Sequence, residues 1–529
     1  MPTRRDGKLT RRRLFWLTAG AAAVSCSTND DGGPGTSGQG VDAKTPNERS
    51  LVLRFHDRTV APDTLDPARG MGVPLGYDSL IYEAPDGSLQ PQIAEEWGYV
   101  GDGNETFEIR LRSGLSFTDG EPVNAEAVKV NIDYRLDPAA GSQSAAFLGS
   151  VTDVELVDDL TLRVHVSEPD PLMPAIFTQH WGGPGILISP AALEDPGVLA
   201  TGTFGVGRYM IDPGRTVMGD HYTWIPDPNY WDQDAIFWDE IVIHHMPELS
   251  AALAALQSGQ IDLMRADATI IEAGQAAGFA VEGPGMPIVQ GFALIDRDGE
   301  TEPALGDVRV RQGLNYAIDR EKIARALFGD LGMPTDQMSA PSRSGWNDEP
   351  FYPYDPDRAA QLFAEAGYGE GFSFRVRIPP DDAFTRLTEA VADDLRKVGV
   401  ELQVDAVPGN QFDQGDGSTN REYGAILMGW GIHPPFRMGR SWWLPNSPNN
   451  AFGTVDEQLV ELDEELAIAD AEVQEELDQR IISRVAELAW FLPIVIFGEA
   501  VLYDDQVVNL PWTDFASFPW PTEFRPAVE

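Results

Sequence analysis

Cysteine is almost absent: the 529-residue sequence contains only Cys26. A single cysteine excludes an internal disulfide framework and any zinc or iron–sulfur site built from several thiolates. Because Cys26 lies near the N-terminus, no thiol remains in the body of the chain to act as a nucleophile. A chain of this length can bury a large core, and we expect two or three domains.

Positive charge is also scarce. Lysine and arginine together number 38, against 84 aspartates and glutamates, so the formal net charge is −46. Charge repulsion on this scale favours solubility and argues against nucleic acid as a partner. The excess of acid is interpreted either as adaptation to salty or crowded surroundings or as a surface for one cationic ligand.

Long hydrophobic runs are missing as well. No segment approaches the roughly 20 apolar residues that a membrane-spanning helix needs, so the chain is not expected to form a channel. Residues 1–25 combine a basic flank with a short apolar stretch, which predicts a secretory signal peptide. The string Thr10-Arg11-Arg12-Arg13-Leu14-Phe15 resembles the twin-arginine export motif.

The residues around Cys26 predict a membrane anchor. Ala23-Val24-Ser25-Cys26 resembles a bacterial lipobox, whose cysteine is lipidated and becomes the new N-terminus. The alternative is a plain signal-peptidase cut near residues 21–23, which would leave a freely secreted protein. Residues 26–49 are polar and rich in Gly, Ser and Asp, a composition typical of a flexible tether.

The body of the chain has the pattern of a mixed α/β protein. N-cap aspartates predict helices that begin after Asp307, Asp319 and Asp355. Further patterns predict a helix that ends at Gly399, one long helical stretch over residues 455–488, strands over residues 400–404 and 491–496, and mainly β structure before residue 200.

Motifs of the common enzyme chemistries are not found. The sequence has no phosphate-binding P-loop, no G-x-S-x-G elbow and no H-E-x-x-H pair. His244 and His245 are adjacent in a predicted strand and so point to opposite faces, which argues against a joint metal site. We therefore expect no enzymatic activity, no cofactor and no bound metal.

Seven segments, in order along the mature chain, together resemble one protein family. They are Leu65-Asp66-Pro67, residues 87–97 (GSLQPQIAEEW), 107–126 (FEIRLRSGLSFTDGEPVNAE), 205–209 (GVGRY), 229–231 (NYW), 255–263 (ALQSGQIDL) and 308–320 (VRVRQGLNYAIDR). On these motifs the chain resembles the peptide- and nickel-binding family, family 5, of ABC-importer solute-binding proteins. The resemblance implies that a solute is captured between two lobes and delivered to a membrane permease and its ATPase subunits.

The resemblance also implies an architecture. It is a two-lobed periplasmic-binding-protein-like fold of class II type, with crossing strands between the lobes and an extra β-rich domain. Lobe I is assigned to residues 50–82, 198–290 and 500–529, the extra domain to residues 83–197, and lobe II to residues 291–499. A monomer is expected, on the outer face of the cytoplasmic membrane.

The resemblance places the solute site around residues 428–437, a segment that includes Trp430. Peptide-binding members carry an acid three residues after this tryptophan, where His433 stands here, so capture of an ordinary peptide α-amino group is not expected. The nickel-binding branch has a similar W-G-x-P run, but its histidine further along falls near Asn449. Arginine beside aromatic rings suits a carboxylate-bearing or planar solute. The candidate ligand-binding residues are Trp430, His433, Phe436 and Arg437 from one lobe and Arg69 and Met71 from the other.

Three alternatives to capture of a peptide-like or carboxylate-bearing solute stay open at this point. The first is a nickel–metallophore-binding protein of a nickel importer. The second is a secreted hydrolase on a two-lobed scaffold, against which the missing nucleophile motif counts. The third is an adhesin or signalling lipoprotein that kept the fold without transport.

Overall fold

Strands of very different lengths organise the protein. The computed structural model describes residues 51–56, 67, 75–180, 183–341, 343–407, 421–431, 433–512 and 520–527. The strands in this part of the chain are β1 Val52–His56, β2 Ile81–Glu83, β3 Leu89–Pro91, β4 Ala94–Tyr99, β5 Thr106–Leu111, β6 Val151–Leu156, β7 Thr161–Val166, β8 Tyr209–Ile211, β9 His221–Pro226, β10 Glu240–His244, β11 Leu263–Ala266, β12 Ala280–Leu294, β13 Gly332–Pro334, β14 Phe372–Ile378, β15 Val400–Ala406, β16 Ala425–Gly431, β17 Phe491–Tyr503, β18 Val508–Asn509 and β19 Arg525–Pro526.

Helices pack on the faces of these strands. They are α1 Ala125–Leu136, α2 Met173–Ile176, α3 Pro190–Glu194, α4 Leu249–Gln257, α5 Ile271–Ala276, α6 Val308–Tyr316, α7 Arg320–Phe328, α8 Pro356–Glu365, α9 Asp382–Lys397, α10 Pro435–Met438, α11 Glu457–Ala467 and α12 Ala471–Leu488. Within the ranges that the structure describes, no helix is both long and apolar enough to cross a bilayer.

One large mixed sheet runs through most of the chain. Its strand order is β15-β14-β16-β12-β17-β11-β1-β10-β9-β8, and β13 also pairs with β17. Strand β12 pairs with β16 through residues 288–294, and β17 pairs with β11 through residues 500–503. The two long strands β12 and β17, 15 and 13 residues, pair with each other between these groups and so connect the two halves of the sheet.

A second, smaller sheet lies in the first third of the chain. It is antiparallel, with the order β4-β5-β7-β6. Alternate residues of β5 and β7, such as Phe107, Ile109, Leu162 and Val164, are buried and pack with α1 in one hydrophobic core. This alternation is what a sheet with one solvated face requires. The sheet falls within the range predicted for the extra β-rich domain. Together with the large sheet and the surrounding helices, it gives the predicted mixed α/β fold with multiple sheets.

The predicted helix starts are confirmed. Side chains of Asp307, Asp319 and Asp355 accept hydrogen bonds from the backbone N–H groups of Arg309, Lys322 and Arg358. A capping carboxylate satisfies an N–H group that has no partner within the helix, and this needs only residues a few positions apart. These contacts are local, and the sequence pattern was therefore sufficient to predict them.

Two expectations from the pattern need correction. The single helical stretch predicted over residues 455–488 is two helices, α11 and α12, separated by residues 468–470. The strand predicted over residues 491–496 continues to Tyr503, because its second half pairs with β11 and β12. The region before residue 200 contains strands β1–β7 together with the twelve-residue helix α1, which Asn124 caps.

Candidate functional site

The predicted site residues fall in two groups. Trp430 lies at the end of β16, Phe436 and Arg437 lie in α10, and His433 lies between these two elements; all four are described by the structure. Arg69, Met71 and the predicted lipidation site Cys26 lie outside the described residues. The part of the predicted site that the structure describes is therefore residues 430–431 and 433–440, together with the side chains that contact them.

Trp430 belongs to the hydrophobic core. Its ring packs against Trp442 and Phe491, with centroid separations of 5.9 and 5.5 Å. Its side chain is buried, and among the described residues its indole N–H has no hydrogen-bond partner. A buried donor without a partner costs free energy, so an acceptor that reaches this nitrogen would be stabilised.

Phe436 is also buried, and it supports Arg440 instead of facing solvent. The Arg440 guanidinium lies 4.2 Å from the Phe436 ring centre. The same guanidinium pairs with Glu168 at 2.6 Å and with Asp463 at 3.7 Å. The positive charge of Arg440 is thus already matched by two carboxylates.

His433 occupies a positive environment. The residue is exposed to solvent, although nearby protein atoms displace part of the water around its ring. This desolvation, together with the positive charges of Arg437 and Arg343, lowers the pKa of His433 to about 4. The imidazole is therefore neutral at pH 7, and it adds no charge of either sign to the site.

Arg437 is partly desolvated and lies against an aromatic ring. Its guanidinium lies 4.0 Å from the centre of the Phe147 ring, in a cation–π arrangement. Burial lowers the pKa of Arg437, and the nearby carboxylate of Asp170 partly offsets this effect. A guanidinium forms charge-assisted hydrogen bonds with carboxylates, and these are stronger where water is partly excluded.

Arg343 carries the second positive charge near His433, and it pairs across the site. Its Nη1 lies 3.2 Å from Oε1 of Glu83, at the end of β2. His180 Nε2 lies 4.0 Å from the same oxygen, and the His180 ring packs against that of Trp520 at an angle of 36°, with centroids 5.6 Å apart. Burial is the main cause that lowers the pKa of His180.

The site lies where two parts of the chain meet. Glu83, Phe147 and Glu168 come from the range predicted for the extra domain, and their partners Arg343, Arg437 and Arg440 come from the range predicted for lobe II. Asn104 adds two hydrogen bonds across the same junction, from Nδ2 to the carbonyl oxygens of Ala467 and Ala469 at 3.0 and 3.2 Å.

Sequence analysis did not find Glu83, Phe147, His180 or Arg343. These residues are far apart in the chain, and tertiary packing brings them together: Phe147 contacts Arg437, Arg343 lies near His433, and Glu83 and His180 lie near Arg343. No local sequence pattern identifies these four residues as binding residues, because each lies in a segment whose pattern is equally typical of a purely structural element. Their separation of up to about 350 positions is a property that only tertiary structure expresses.

The arrangement can hold a charged organic group. Arg343 and Arg437 offer charge-assisted hydrogen bonds, the neutral His433 offers a donor or an acceptor, and Glu83 offers an acceptor for an ammonium group. In the described ranges no group of three or more His, Cys, Asp or Glu side chains is placed to hold a metal ion. These residues therefore suit a solute with both carboxylate and amino groups.

Comparison with known families gives a match over most of the chain. Residues 88–452 match the middle region of the bacterial extracellular solute-binding proteins, family 5. Among individual proteins, the glutathione-binding protein GsiB of Escherichia coli K12 is 26% identical over 412 residues. The aligned region covers 74% of this chain and 77% of GsiB.

Solved structures show the same fold. HbpA2 from Haemophilus parasuis superposes with a TM-score of 0.77 at 20% identity, over 90% of this chain and 100% of that one. NikZ from Campylobacter jejuni, solved with Ni(L-His), has a TM-score of 0.67 at 20% identity, over 90% of this chain and 99% of that one. At such identities the similarity concerns the fold alone.

Proposed function

The chain belongs to family 5 of the bacterial extracellular solute-binding proteins, and on this premise we propose that it captures a peptide-like solute carrying carboxylate and amino groups. Proteins of this family act outside the cytoplasm and deliver solutes to ABC permeases, so the chain is a solute-binding protein and not an enzyme. What remains to be proposed is the solute, the residues that hold it and the membrane anchor.

The observation that carries the proposal is the charge pattern between the two parts of the chain. Arg437 and Arg343 both lie near enough to His433 to lower its pKa, which favours the neutral imidazole, and Glu83 lies 3.2 Å from Arg343. We assign the solute carboxylate to Arg437, with Arg343 as its neighbour, and the ammonium group to Glu83. Glu83 thereby supplies the negative charge that is missing at position 433.

Closure of the protein over the solute follows from the same contacts. The predicted lobes and the extra domain would meet through the Glu83–Arg343 pair and the Arg437–Phe147 contact. Ligand clefts that exclude water strengthen every polar contact within them. The solute would thus exchange its hydration for Arg437, Glu83 and the indole N–H of Trp430.

The test is a calorimetric titration of glutathione and its N-acetylated form, because the relatives include glutathione-binding proteins. We expect glutathione to bind, and Arg437→Met to weaken binding at least tenfold, since a lost charge-assisted hydrogen bond costs about 1.5–3 kcal/mol. Glu83→Gln is expected to remove the preference for glutathione over the N-acetylated form, which has no ammonium group.

Arg440→Met is the matched control, because Arg440 lies three residues from Arg437 and is already paired with Glu168 and Asp463. Its effect on affinity should stay within a factor of two or three. If Arg437→Met and Arg440→Met had equal effects, the assignment of the carboxylate to Arg437 would be wrong. If glutathione and other small peptides all fail to bind, the proposed solute class is wrong.

A nickel–metallophore solute is the second candidate, because the fold is shared with a protein solved with Ni(L-His). In that case the bound metal would be held mainly by its chelator, and the positive side chains of Arg343 and Arg437 would contact the chelator's carboxylates. Titration with nickel plus histidine separates the two candidates. Tight binding of that complex, combined with none of glutathione, would favour the metallophore.

Lipid anchoring at Cys26 is proposed from the lipobox-like sequence and the polar segment that follows it. An anchored receptor stays near its permease, and residues 26–49 are long enough to hold it clear of the membrane surface. In cells that export the protein, we expect Cys26→Ser to move it from the membrane fraction to the soluble fraction. Equal membrane association of Cys26→Ser and the unaltered protein would contradict the anchor.

A further inference from the structure

Three histidines lie side by side on neighbouring strands of the large sheet. His56 at the end of β1 is the register partner of His244 in β10, and His244 is the partner of His221 in β9. Directly opposed residues on neighbouring strands point to the same face of a sheet. The chain has only seven histidines in all. None of these three takes part in the solute site described above.

Hydrogen bonds orient two of the three rings. His221 Nδ1 lies 2.7 Å from Oδ2 of Asp220, and His56 Nε2 lies 2.7 Å from the carbonyl oxygen of Met246. Carboxylate and carbonyl oxygens only accept, so both of these ring nitrogens donate. In neutral His221 the lone pair is therefore on Nε2. Metal-bound histidines typically donate their other ring N–H to such an oxygen.

The spacing of His221 and His244 suits one shared ion. Their ring centroids are 5.9 Å apart and their planes differ by 35°. With metal–nitrogen bonds of about 2.0–2.1 Å, two imidazoles on one tetrahedral ion have centroids roughly 5–6 Å apart. The His221 side chain is 28% exposed and that of Asp220 is 73% exposed, so water has access to complete the coordination.

We propose that His221 and His244 form a binding site for a divalent transition metal ion of the zinc, nickel or copper class, with Asp220 as the residue that orients His221. Imidazole nitrogens favour these ions over calcium and magnesium, which prefer oxygen ligands. The protein supplies two ligands and water supplies the others. His56 lies beside His244 as the third ring of the row. This site does not depend on the proposed solute.

The experiment is a titration of the full chain, without a histidine tag, with Ni²⁺ alone at pH 7.5 and physiological salt. We expect one saturable site. His221→Asn and His244→Asn should each weaken binding at least tenfold, because each removes one of two ligands. Asp220→Asn should weaken it about tenfold, as loss of an orienting partner does.

His165→Asn is the matched control, because His165 also lies on a strand beside a carboxylate, with its Nε2 3.3 Å from Glu155, but it belongs to the smaller sheet and not to the row of His56, His221 and His244. His433→Asn tests whether the ion binds in the solute cleft instead. Neither control should change the affinity. Circular dichroism checks that each variant is folded, and Cu²⁺ electron paramagnetic resonance should show two coupled imidazole nitrogens that become one in His221→Asn or His244→Asn.

Three results would overturn the site. The first is unchanged Ni²⁺ affinity in both His221→Asn and His244→Asn. The second is loss of the saturable event in His433→Asn, which would place the ion in the cleft. Weak binding of many ions, equal for Ni²⁺ and Mg²⁺, would show only the general attraction of cations to this acidic surface and would also reject the proposal.

Discussion

Phe491→Ala is expected to lower the free energy of unfolding by about 3–5 kcal/mol, the usual cost of truncating a buried phenylalanine. Phe491 is 3% exposed. Its ring contacts those of Trp430, Trp442 and Trp443, with centroid separations of 5.5, 5.9 and 6.2 Å. Removal of the ring leaves a cavity between three indoles that cannot collapse without moving β16.

Phe491→Ala should also weaken solute binding. Trp430 is held in its orientation by Phe491 and Trp442, so a cavity at Phe491 gives its indole N–H more freedom. Denaturant unfolding measures the stability, and titration at a temperature where the variant is folded measures the affinity. Tyr354→Ala is the control, since that aromatic side chain is 44% exposed and its removal should cost less than about 0.5 kcal/mol. A cost below about 1 kcal/mol for Phe491→Ala would show that these rings do not form a tightly packed core.

Asp478→Asn is expected to change how stability depends on pH. Asp478 is buried, and its carboxyl contacts the hydroxyl of Ser344, next to Arg343 in the chain. Burial, together with the nearby charge of Glu475, raises the pKa of Asp478 from 3.8 to about 7. Ser344 Oγ also lies 2.9 Å from Glu475, and one hydroxyl proton cannot serve two ionised carboxylates.

The sign of the effect follows from proton uptake. Between pH 3.8 and about 7 the folded protein holds a proton on Asp478 that the unfolded chain has released, so stability falls as the pH rises through this range. At about 1.4 kcal/mol per pKa unit, the advantage of Asp478→Asn over the unaltered protein should grow by about 2–3 kcal/mol between pH 5 and pH 8.

Urea unfolding of both proteins at pH 5 and pH 8 measures this difference. Asp393→Asn is the control, because the Asp393 side chain is 71% exposed and pairs with its helical neighbour Arg396. The control should show no growing advantage. If the free energies of unfolding of Asp478→Asn and the unaltered protein differ by the same amount at pH 5 and pH 8, Asp478 is ionised in the folded protein over this whole pH range. We expect the affinity of the unaltered protein for the solute to fall as well when the pH rises from 5 to 8, because Ser344 is the chain neighbour of Arg343.

Local features of the fold were predictable from the sequence. Asp307, Asp319 and Asp355 act within a few residues of themselves, and Gly399 has a positive φ of 83° that favours glycine before the strand β15. The break between α11 and α12 was missed because the apolar spacing of the two helices continues across residues 468–470. Periodicity reports which face is buried, but it does not report whether the backbone is continuous.

The candidate site was predictable only in part. The sequence drew attention to residues 430–437 through the motif and its missing acid, and the structure describes all of its four proposed contacts. It does not describe Arg69 and Met71, so their role stays a prediction. Trp430 and Phe436 are buried. Burial is consistent with their being aromatic residues, but their spacing in the sequence did not reveal it.

The sequence by itself determined the class of protein: the ordered motifs, the scarcity of cysteine and basic residues, and the helix caps all depend on composition or on neighbours in the chain. Tertiary structure alone decided that Glu83 lies 3.2 Å from Arg343, that Arg437 stacks on Phe147, and that His244 lies between His56 and His221. Except for His221 and His244, which are 23 positions apart, these contacts join residues more than 100 positions apart. Their partners are selected by how strands and loops pack, and no local pattern of residues carries that information.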